Sequence, residues 1–100
     1  MSKVIFTVQY EIKPEKRNEY LTCMKELKLL VKAEGLQEYN LYEVKGKSLI
    51  FQEELIFLNK EAFDNYDDSS SERMDILISK LEEFKIPNST KYATLNELEV

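Results

Sequence analysis

The spacing of hydrophobic residues changes from strand-like to helix-like and back along the chain. In the opening stretch, apolar residues take every second position: Val4, Phe6, Val8, Tyr10 and Ile12. This alternation predicts a strand with one apolar and one mixed face, ended by Pro14. Over residues 15–32, apolar residues recur every three or four positions, which predicts a helix. We expect Gly35, in a left-handed conformation, to end this helix at its C-terminus.

The second half of the chain predicts a hairpin, a divided helical region and a last strand. Strand-like segments at 37–44 and 48–57 flank a turn centred on Gly46. Asn59 is placed to cap a first helix, and Ser69 and Glu72 have the spacing of a capping box for a second helix that ends before Pro87. The pattern of residues 91–100 predicts the last strand of the sheet.

The predicted order is β-α-β-β-α-β within 100 residues. This order is typical of an α+β, ferredoxin-like sandwich, in which two helices pack on one face of a four-stranded antiparallel sheet. We expect residues 1–100 to form a single domain, because the chain is too short for two hydrophobic cores.

The sheet face away from the helices is neither fully polar nor fully apolar. On the first and third strands it carries a mixture of aliphatic and hydrogen-bonding residues: Ile5, Thr7, Gln9, Glu11, Ile50, Gln52, Glu54 and Ile56. Such a face favours a homodimer in which two sheets meet, with Thr7 and Gln52 finding partners across the interface. The alternative is a monomer whose sheet is half solvated.

Charge and composition exclude several classes of protein. The net charge of −5 disfavours nucleic acid as a partner, and no apolar run is long enough to predict a membrane span or a signal peptide, so we expect a cytoplasmic protein. The chain has no histidine and one cysteine, Cys23. An intrachain disulfide, a His/Cys zinc site and histidine-based nucleophile systems are therefore excluded, and Cys23 is expected to be a core residue.

Four segments carry a resemblance to a known family: residues 10–14 (YEIKP), 35–42 (GLQEYNLY), 51–55 (FQEEL) and 60–63 (KEAF). In order and spacing they resemble the antibiotic biosynthesis monooxygenase (ABM) domains of the dimeric α+β barrel superfamily. The superfamily includes proteins of many activities, so the resemblance implies the fold more strongly than any chemistry.

The resemblance argues against haem degradation. Members of that type use an iron-ligating histidine, an asparagine on the first strand and a tryptophan on the third. This chain has no histidine, Val8 stands at the asparagine position, and Leu55 or Phe57 stands at the tryptophan position. Both candidates for the tryptophan position share one strand face, so the conclusion does not depend on the alignment.

Other members oxidise quinol- or anthrone-type substrates without a metal or flavin, and the protein supplies a dry pocket, a base and hydrogen bonds. The resemblance thus implies a homodimeric monooxygenase for a small hydrophobic oxygenated aromatic, with no tightly bound cofactor or metal. Its pocket would lie between the helices and the sheet. We predict Glu53 as the general base, since its strand parity points it toward the helices. The expected substrate-binding residues are Tyr10, Tyr42, Asn40, Phe51, Leu55 and Phe57, with Tyr39 as the alternative to Tyr42 in the lining of the pocket.

Each assignment has a structural alternative. Glu53 could pair with a lysine near an edge or be turned to water by a bulge, and Tyr10 and Tyr42 could fill the core or an interface. Parity does not decide whether Asn40 faces the pocket or solvent. The alternative function is a non-catalytic dimer that binds a small molecule or serves as an interaction module.

Overall fold

The computed structural model describes residues 2–67 and 71–100. Within these ranges the chain forms four strands and three α-helices: β1 (Val4–Glu11), α1 (Arg17–Leu30), β2 (Leu36–Glu43), β3 (Ile50–Phe57), α2 (Lys60–Asp64), α3 (Glu72–Phe84) and β4 (Lys91–Asn96). The strands form one antiparallel sheet in the order β2-β3-β1-β4. This is the predicted ferredoxin-like α+β architecture, with the second helical region divided into α2 and α3.

Strand β1 is one of the two inner strands of the sheet, and its alternation positions the core. It pairs with β3 on one side and β4 on the other. Its residues Val8 and Tyr10 are buried against α1 and α3, as is Ile12 just beyond its end, and Val4 is buried in a second cluster that includes residues of α2. The apolar face predicted from the sequence is therefore the helix-covered face, and the mixed face of β1 is the uncovered one.

Helix α1 differs from its prediction at both ends. Pro14–Lys16 forms a 3₁₀ turn, so the α-helix begins only at Arg17, and it ends at Leu30 because Val31 is already extended. Gly35 therefore does not cap the helix, and that prediction is wrong. It lies in the turn before β2 with φ +83°, where its carbonyl accepts a hydrogen bond from the Leu58 amide at 2.7 Å.

Both later helices have side-chain caps. The Asn59 side chain accepts a hydrogen bond from the Ala62 amide at 2.8 Å, which confirms the predicted cap of α2. At α3, the Ser71 hydroxyl accepts from the Met74 amide at 3.1 Å. Glu72 is thus the first residue of α3 and not the partner in a capping box, and the predicted cap Ser69 lies outside the described residues.

Because one face of the sheet is uncovered, the chain has two layers, the sheet and the helices. Its shortest dimension is 21 Å, against 43 and 33 Å along the other two axes. Thr7 donates to the Ala93 carbonyl at 3.3 Å, and Gln52 bonds both Gln9 and Glu54 at 3.0 and 2.9 Å. Thr7 and Gln52, for which we expected cross-subunit partners, therefore already have partners within the chain. In the described ranges, no helix is long and apolar enough to cross a membrane.

The two glycines offer a matched test of backbone and packing constraints. Both have positive φ, but a Cβ at Gly35 would lie 2.4 Å from the Ala62 Cβ, whereas one at Gly46 would meet no atom within 4 Å. We expect Gly46→Ala to cost about 1–2 kcal/mol for the left-handed backbone alone. Gly35→Ala should cost a further ~1–3 kcal/mol from overpacking. Urea unfolding of both variants measures the difference, and equal losses would contradict the close approach of α2.

Candidate functional site

A cavity of about 220 Å³ lies between the sheet and the layer formed by α1 and α3. Strand residues form its floor, and α1, α3 and the segments that follow the helices form its walls. Its lining comprises Phe6, Val8, Leu27, Val31, Tyr39, Glu53, Leu55, Tyr66, Met74, Ile78, Leu81, Glu82, Lys85 and Tyr92. The lining is mostly apolar, and its ionic groups are two carboxylates and one ammonium. This is the location that the sequence predicted for a pocket.

Glu53 is the carboxylate on the floor of this cavity, and it is only 8% exposed. Directly opposite it across the sheet are Val8 on β1 and Leu41 on β2. The diagonal neighbours on those strands are Tyr10 and Tyr39, whose long side chains reach over the aliphatic residues. Tyr10 donates to Glu53 Oε2 at 2.6 Å, and Tyr39 donates to Glu53 Oε1 at 2.5 Å.

A third tyrosine extends this arrangement to the helical layer. The hydroxyls of Tyr10 and Tyr20 are 2.7 Å apart. Because Tyr10 uses its single proton toward Glu53, Tyr20 donates to Tyr10, and the chain of donors runs from Tyr20 through Tyr10 to the carboxylate. Across the described residues, every buried side-chain nitrogen or oxygen has a hydrogen-bond partner. The carboxylate is therefore held in one orientation by the sheet and by α1.

The electrostatics keep all three phenols protonated. Burial, and after it the negative charge of Glu53, raises the pKa of Tyr10 and of Tyr39 above the ordinary value of 10.0. Burial also raises the pKa of Tyr20. An ionised phenol at any of these positions would lie close to a second negative charge in an apolar environment. The tyrosines are thus donors to the carboxylate.

The structure places Glu53 toward the helices, as its strand parity predicts. Its partners are tyrosines and not a lysine, and the irregularity in strand pairing lies in β2 between Leu36 and Glu38, away from Glu53. The two structural alternatives weighed for this residue therefore do not describe its environment. Its role as a base stays a prediction.

Of the residues predicted to bind substrate, Leu55 lines the cavity. Tyr10 is 1% exposed and touches the site through Glu53. Phe51 packs against Tyr20 with ring centroids 4.6 Å apart, and Phe57 packs against Phe63 and Tyr66. Phe51 and Phe57 share the covered face with Glu53 but belong to the core around the cavity and not to its lining.

Tyr42 and Asn40 lie on the opposite face of the sheet. In the β2–β3 pairing, Tyr42 stands opposite Gln52 and Asn40 opposite Glu54, so both side chains belong to the uncovered face. The prediction that they line the same pocket as Glu53 is therefore wrong. Strand parity is the reason, because Tyr39 and Leu41 share the face of Glu53 while their neighbours take the other.

Sequence reasoning missed Lys85, Glu82 and Tyr92. The Lys85 side chain is 11% exposed, and its Nζ lies 2.7 Å from Glu82 Oε2 and 4.4 Å from the centre of the Tyr10 ring. An isolated bridge between Ile12 and Lys85 holds the end of α3 against the sheet. Tyr92 on β4 stacks on Phe6 at 5.9 Å. The helical spacing that ends at Phe84 gives no sign that the next residue turns inward.

A larger groove of about 500 Å³ runs on the outer surface between α1 and α3. It is bridged by an exposed ion pair between Arg73 and Glu26, and Cys23 lies beneath it, buried. Burial raises the pKa of the Cys23 thiol, as expected for a core cysteine. In residues 2–67 and 71–100, no three potential ligand side chains are grouped in a way that could hold a metal ion.

Comparison with known proteins supports the fold. No profile of a protein family and no curated protein matches the chain. Among solved structures, a conserved protein from Methanosarcina mazei is 19% identical, with a TM-score of 0.80 over 98% of this chain and 95% of that one. An antibiotic biosynthesis monooxygenase is 21% identical, with a TM-score of 0.75 over 99% and 100% of the chains.

The cofactor-independent oxygenase SnoaB from Streptomyces nogalater is 9% identical, with a TM-score of 0.75 over 98% of this chain and 95% of that one. At such identities the likeness establishes the fold alone. The chain has the fold of antibiotic biosynthesis monooxygenase domains, which confirms the resemblance noted in the sequence.

The buried phenols predict a loss of stability at alkaline pH. In the unfolded chain Tyr10, Tyr20 and Tyr39 ionise near pH 10.0, whereas the folded chain keeps their protons. The unfolded state therefore loses protons first, and the free energy of unfolding should fall as pH rises above about 10. Tyrosinate absorbance from these three residues should appear only with the loss of helical circular dichroism. Tyr39→Phe should lower that absorbance by the amount that one tyrosinate contributes. Ionisation of all three near pH 10 in the folded chain would contradict their raised pKa values.

Proposed function

We propose that the chain is a homodimeric, ABM-like monooxygenase that acts on a small hydrophobic quinol-type aromatic without a tightly bound cofactor. The observation that carries the proposal is the position of Glu53, a buried carboxylate on the floor of an otherwise mostly apolar cavity. An oriented base in a water-poor pocket is what removal of a proton from such a substrate requires.

The tyrosines leave Glu53 able to act. Each carboxylate oxygen has two lone-pair positions, and Tyr10 and Tyr39 use one on each oxygen. A substrate hydroxyl in the cavity can therefore donate to a remaining position. The proton moves to Glu53, and the electron pair of the O–H bond stays on the substrate oxygen. The anion then reacts with O₂: one oxygen atom replaces a ring hydrogen, the other leaves as water, and the substrate supplies all four electrons.

The volume of the cavity bears on the class of substrate. About 220 Å³ is below the roughly 300–1,000 Å³ typical of sites for drug-sized ligands. A quinol of one or two rings fits this space better than a larger polycyclic anthrone. The rings of Tyr66 and Tyr92 and the side chain of Leu55 offer it apolar contacts.

The uncovered sheet face supports the homodimer. Ile5 and Ile56 are direct cross-strand partners on this face, and Leu95 stands beside Ile5 on β4 with 51% of its surface exposed. Gln9, Gln52 and Glu54 have partners within the chain, so pairing with a second sheet does not leave them unsatisfied. A second copy would cover the aliphatic residues and give the sheet a second protected face.

One observation favours a non-catalytic dimer that binds a small molecule as a second candidate. Both Glu53 oxygens already accept a hydrogen bond from within the chain, and all buried side-chain polar atoms of the described residues are satisfied. A carboxylate whose role is structural would have the same partners. The two candidates differ in whether Glu53 is needed for turnover or only for stability.

Oxygen uptake with a panel of one- and two-ring quinols tests the proposed function. Wild type should consume O₂ and form the hydroxylated quinone, and Glu53→Gln should lower kcat at least about 100-fold, the lower range for a lost general base. Glu61→Gln on α2 removes a carboxylate that does not line the cavity and should leave kcat unchanged. Folding of both variants is checked by circular dichroism.

Two outcomes would contradict this function. A folded Glu53→Gln variant with the wild-type rate would remove Glu53 from the mechanism. No oxygen uptake by wild type, combined with saturable binding of the same quinols, would establish the non-catalytic candidate instead.

Sedimentation of a charged variant tests the dimer. Ile56→Lys places a charge beside Ile5 on the inner strands of the uncovered face and should convert a dimer to a monomer at micromolar concentration. Ile76→Lys on the exposed surface of α3 adds the same charge away from that face and should leave the dimer intact. A wild-type monomer, or a dimer that survives Ile56→Lys, would contradict the proposed interface.

A further inference from the structure

We propose that the cavity binds its aromatic ligand as an oxyanion, with the Lys85 ammonium as the counter-ion and with Glu82 as the internal group that the ligand oxygen displaces. The inference rests on the proposed function for the location of the site. It adds the charge state of the ligand and a residue that recognises it.

Among the described residues that line the cavity, Lys85 is the one with a cationic side chain. Its side chain is 11% exposed, so the ammonium has lost most of its contact with water. The ring of Tyr10 lies beneath the Nζ, at 4.4 Å from its centre, and compensates for only part of that loss. A cation in this environment binds an oxyanion more strongly than an exposed lysine does, because the interaction is less screened.

The ion pair between Lys85 and Glu82 is asymmetric. Glu82 has 58% of its side chain exposed, against 11% for Lys85. The carboxylate can therefore leave the pair and return to water at little cost, whereas the ammonium is confined to the cavity. A ligand oxyanion in the place of Glu82 Oε2 would form the same ion pair with Lys85 Nζ, in which the two atoms are 2.7 Å apart in the free protein.

The other groups around Lys85 determine which ligand the site accepts. Glu53 lies on the β3 side of the cavity, the Tyr10 ring lies beneath Lys85 on the β1 side, and the phenols in the lining are those of Tyr39, Tyr66 and Tyr92. With Glu53 ionised, the two carboxylates outnumber the one ammonium, which disfavours a ligand that arrives as an anion.

A neutral phenol avoids this repulsion by losing its proton inside the site. Its proton passes to a Glu53 oxygen, its O–H electron pair remains on its own oxygen, and the negative charge moves from Glu53 to the ligand. The total charge of the site is unchanged by this transfer. Lys85 then faces the new oxyanion, so the site selects weakly acidic hydroxyl groups on aromatic rings over carboxylic acids, which are already ionised in solution.

Binding of 4-nitrophenol tests the inference without turnover, because its ionised form is distinguished by absorbance. In wild type, the ionisation midpoint of the bound phenol should be lower than that of the free phenol. Lys85→Met should abolish this lowering and weaken binding at pH 7 about tenfold, the effect of one charge-assisted hydrogen bond. Lys85→Arg keeps the charge and should retain most of the lowering.

Glu82→Gln should change the affinity for 4-nitrophenol in the opposite direction. It removes the carboxylate that competes for Lys85 and should tighten binding severalfold. Lys80→Met removes a lysine that lines the outer groove and not the cavity, and should change neither affinity nor midpoint. A Lys85→Met variant with the wild-type midpoint would overturn the inference. So would weaker binding by Glu82→Gln, since the ion pair would then be structural, and so would the absence of 4-nitrophenol binding by folded wild type.

The proposed function can fail separately. If the bound phenol shows a midpoint that depends on Lys85 while no quinol is oxidised, the cavity is an oxyanion site of a non-catalytic protein. If quinols are oxidised with the wild-type rate in Lys85→Met, the monooxygenase stands and the counter-ion role is wrong.

Discussion

The structure depends on how a buried negative charge is accommodated. An isolated carboxylate in an apolar interior is costly, and the cost falls only when donors surround it. Here the donors are phenols on the two strands that flank β3, with a third phenol on α1. Tyrosine suits this task because its ring adds to the core while its hydroxyl reaches the charge. One glutamate thereby connects the sheet, the helical layer and the cavity.

The register of the sheet makes this arrangement possible. Val8 and Leu41 stand directly opposite Glu53 and are too short and apolar to compete for it, which leaves room for Tyr10 and Tyr39 on the diagonals. A shift of one residue in either pairing would turn the two paired strands out of phase and remove the donor that this pairing supplies, Tyr10 from β1 or Tyr39 from β2. The irregularity at Leu36 and Glu38 lies at the start of β2, where it does not disturb the pairing around Glu53.

Much of the fold could be predicted from local pattern, and less of the site. The alternation of β1 and β3 identified the covered face and placed Glu53 on it, because a period of two is visible in the sequence. The tyrosine donors were not assigned to Glu53, since their contacts follow from the pairing of strands distant in sequence. The pairing of β2 with β3 also decides that Tyr39, and not Tyr42 or Asn40, shares the face of Glu53, because alternation along β2 alone does not show which of its faces is covered. Lys85 was missed because its inward direction depends on a single bridge to Ile12 after α3 has ended.

The donor chain that begins at Tyr20 also limits which amino-acid substitutions such a pocket can accept one at a time. Replacement of Glu53 by an apolar residue would leave the Tyr39 hydroxyl and one hydroxyl of the Tyr10–Tyr20 pair without an acceptor, and loss of either Tyr10 or Tyr39 alone would leave a carboxylate oxygen short of a donor. Single steps in either direction are therefore unfavourable. Natural variation or redesign that converts this interior into a purely hydrophobic one has to exchange the glutamate and its phenols together.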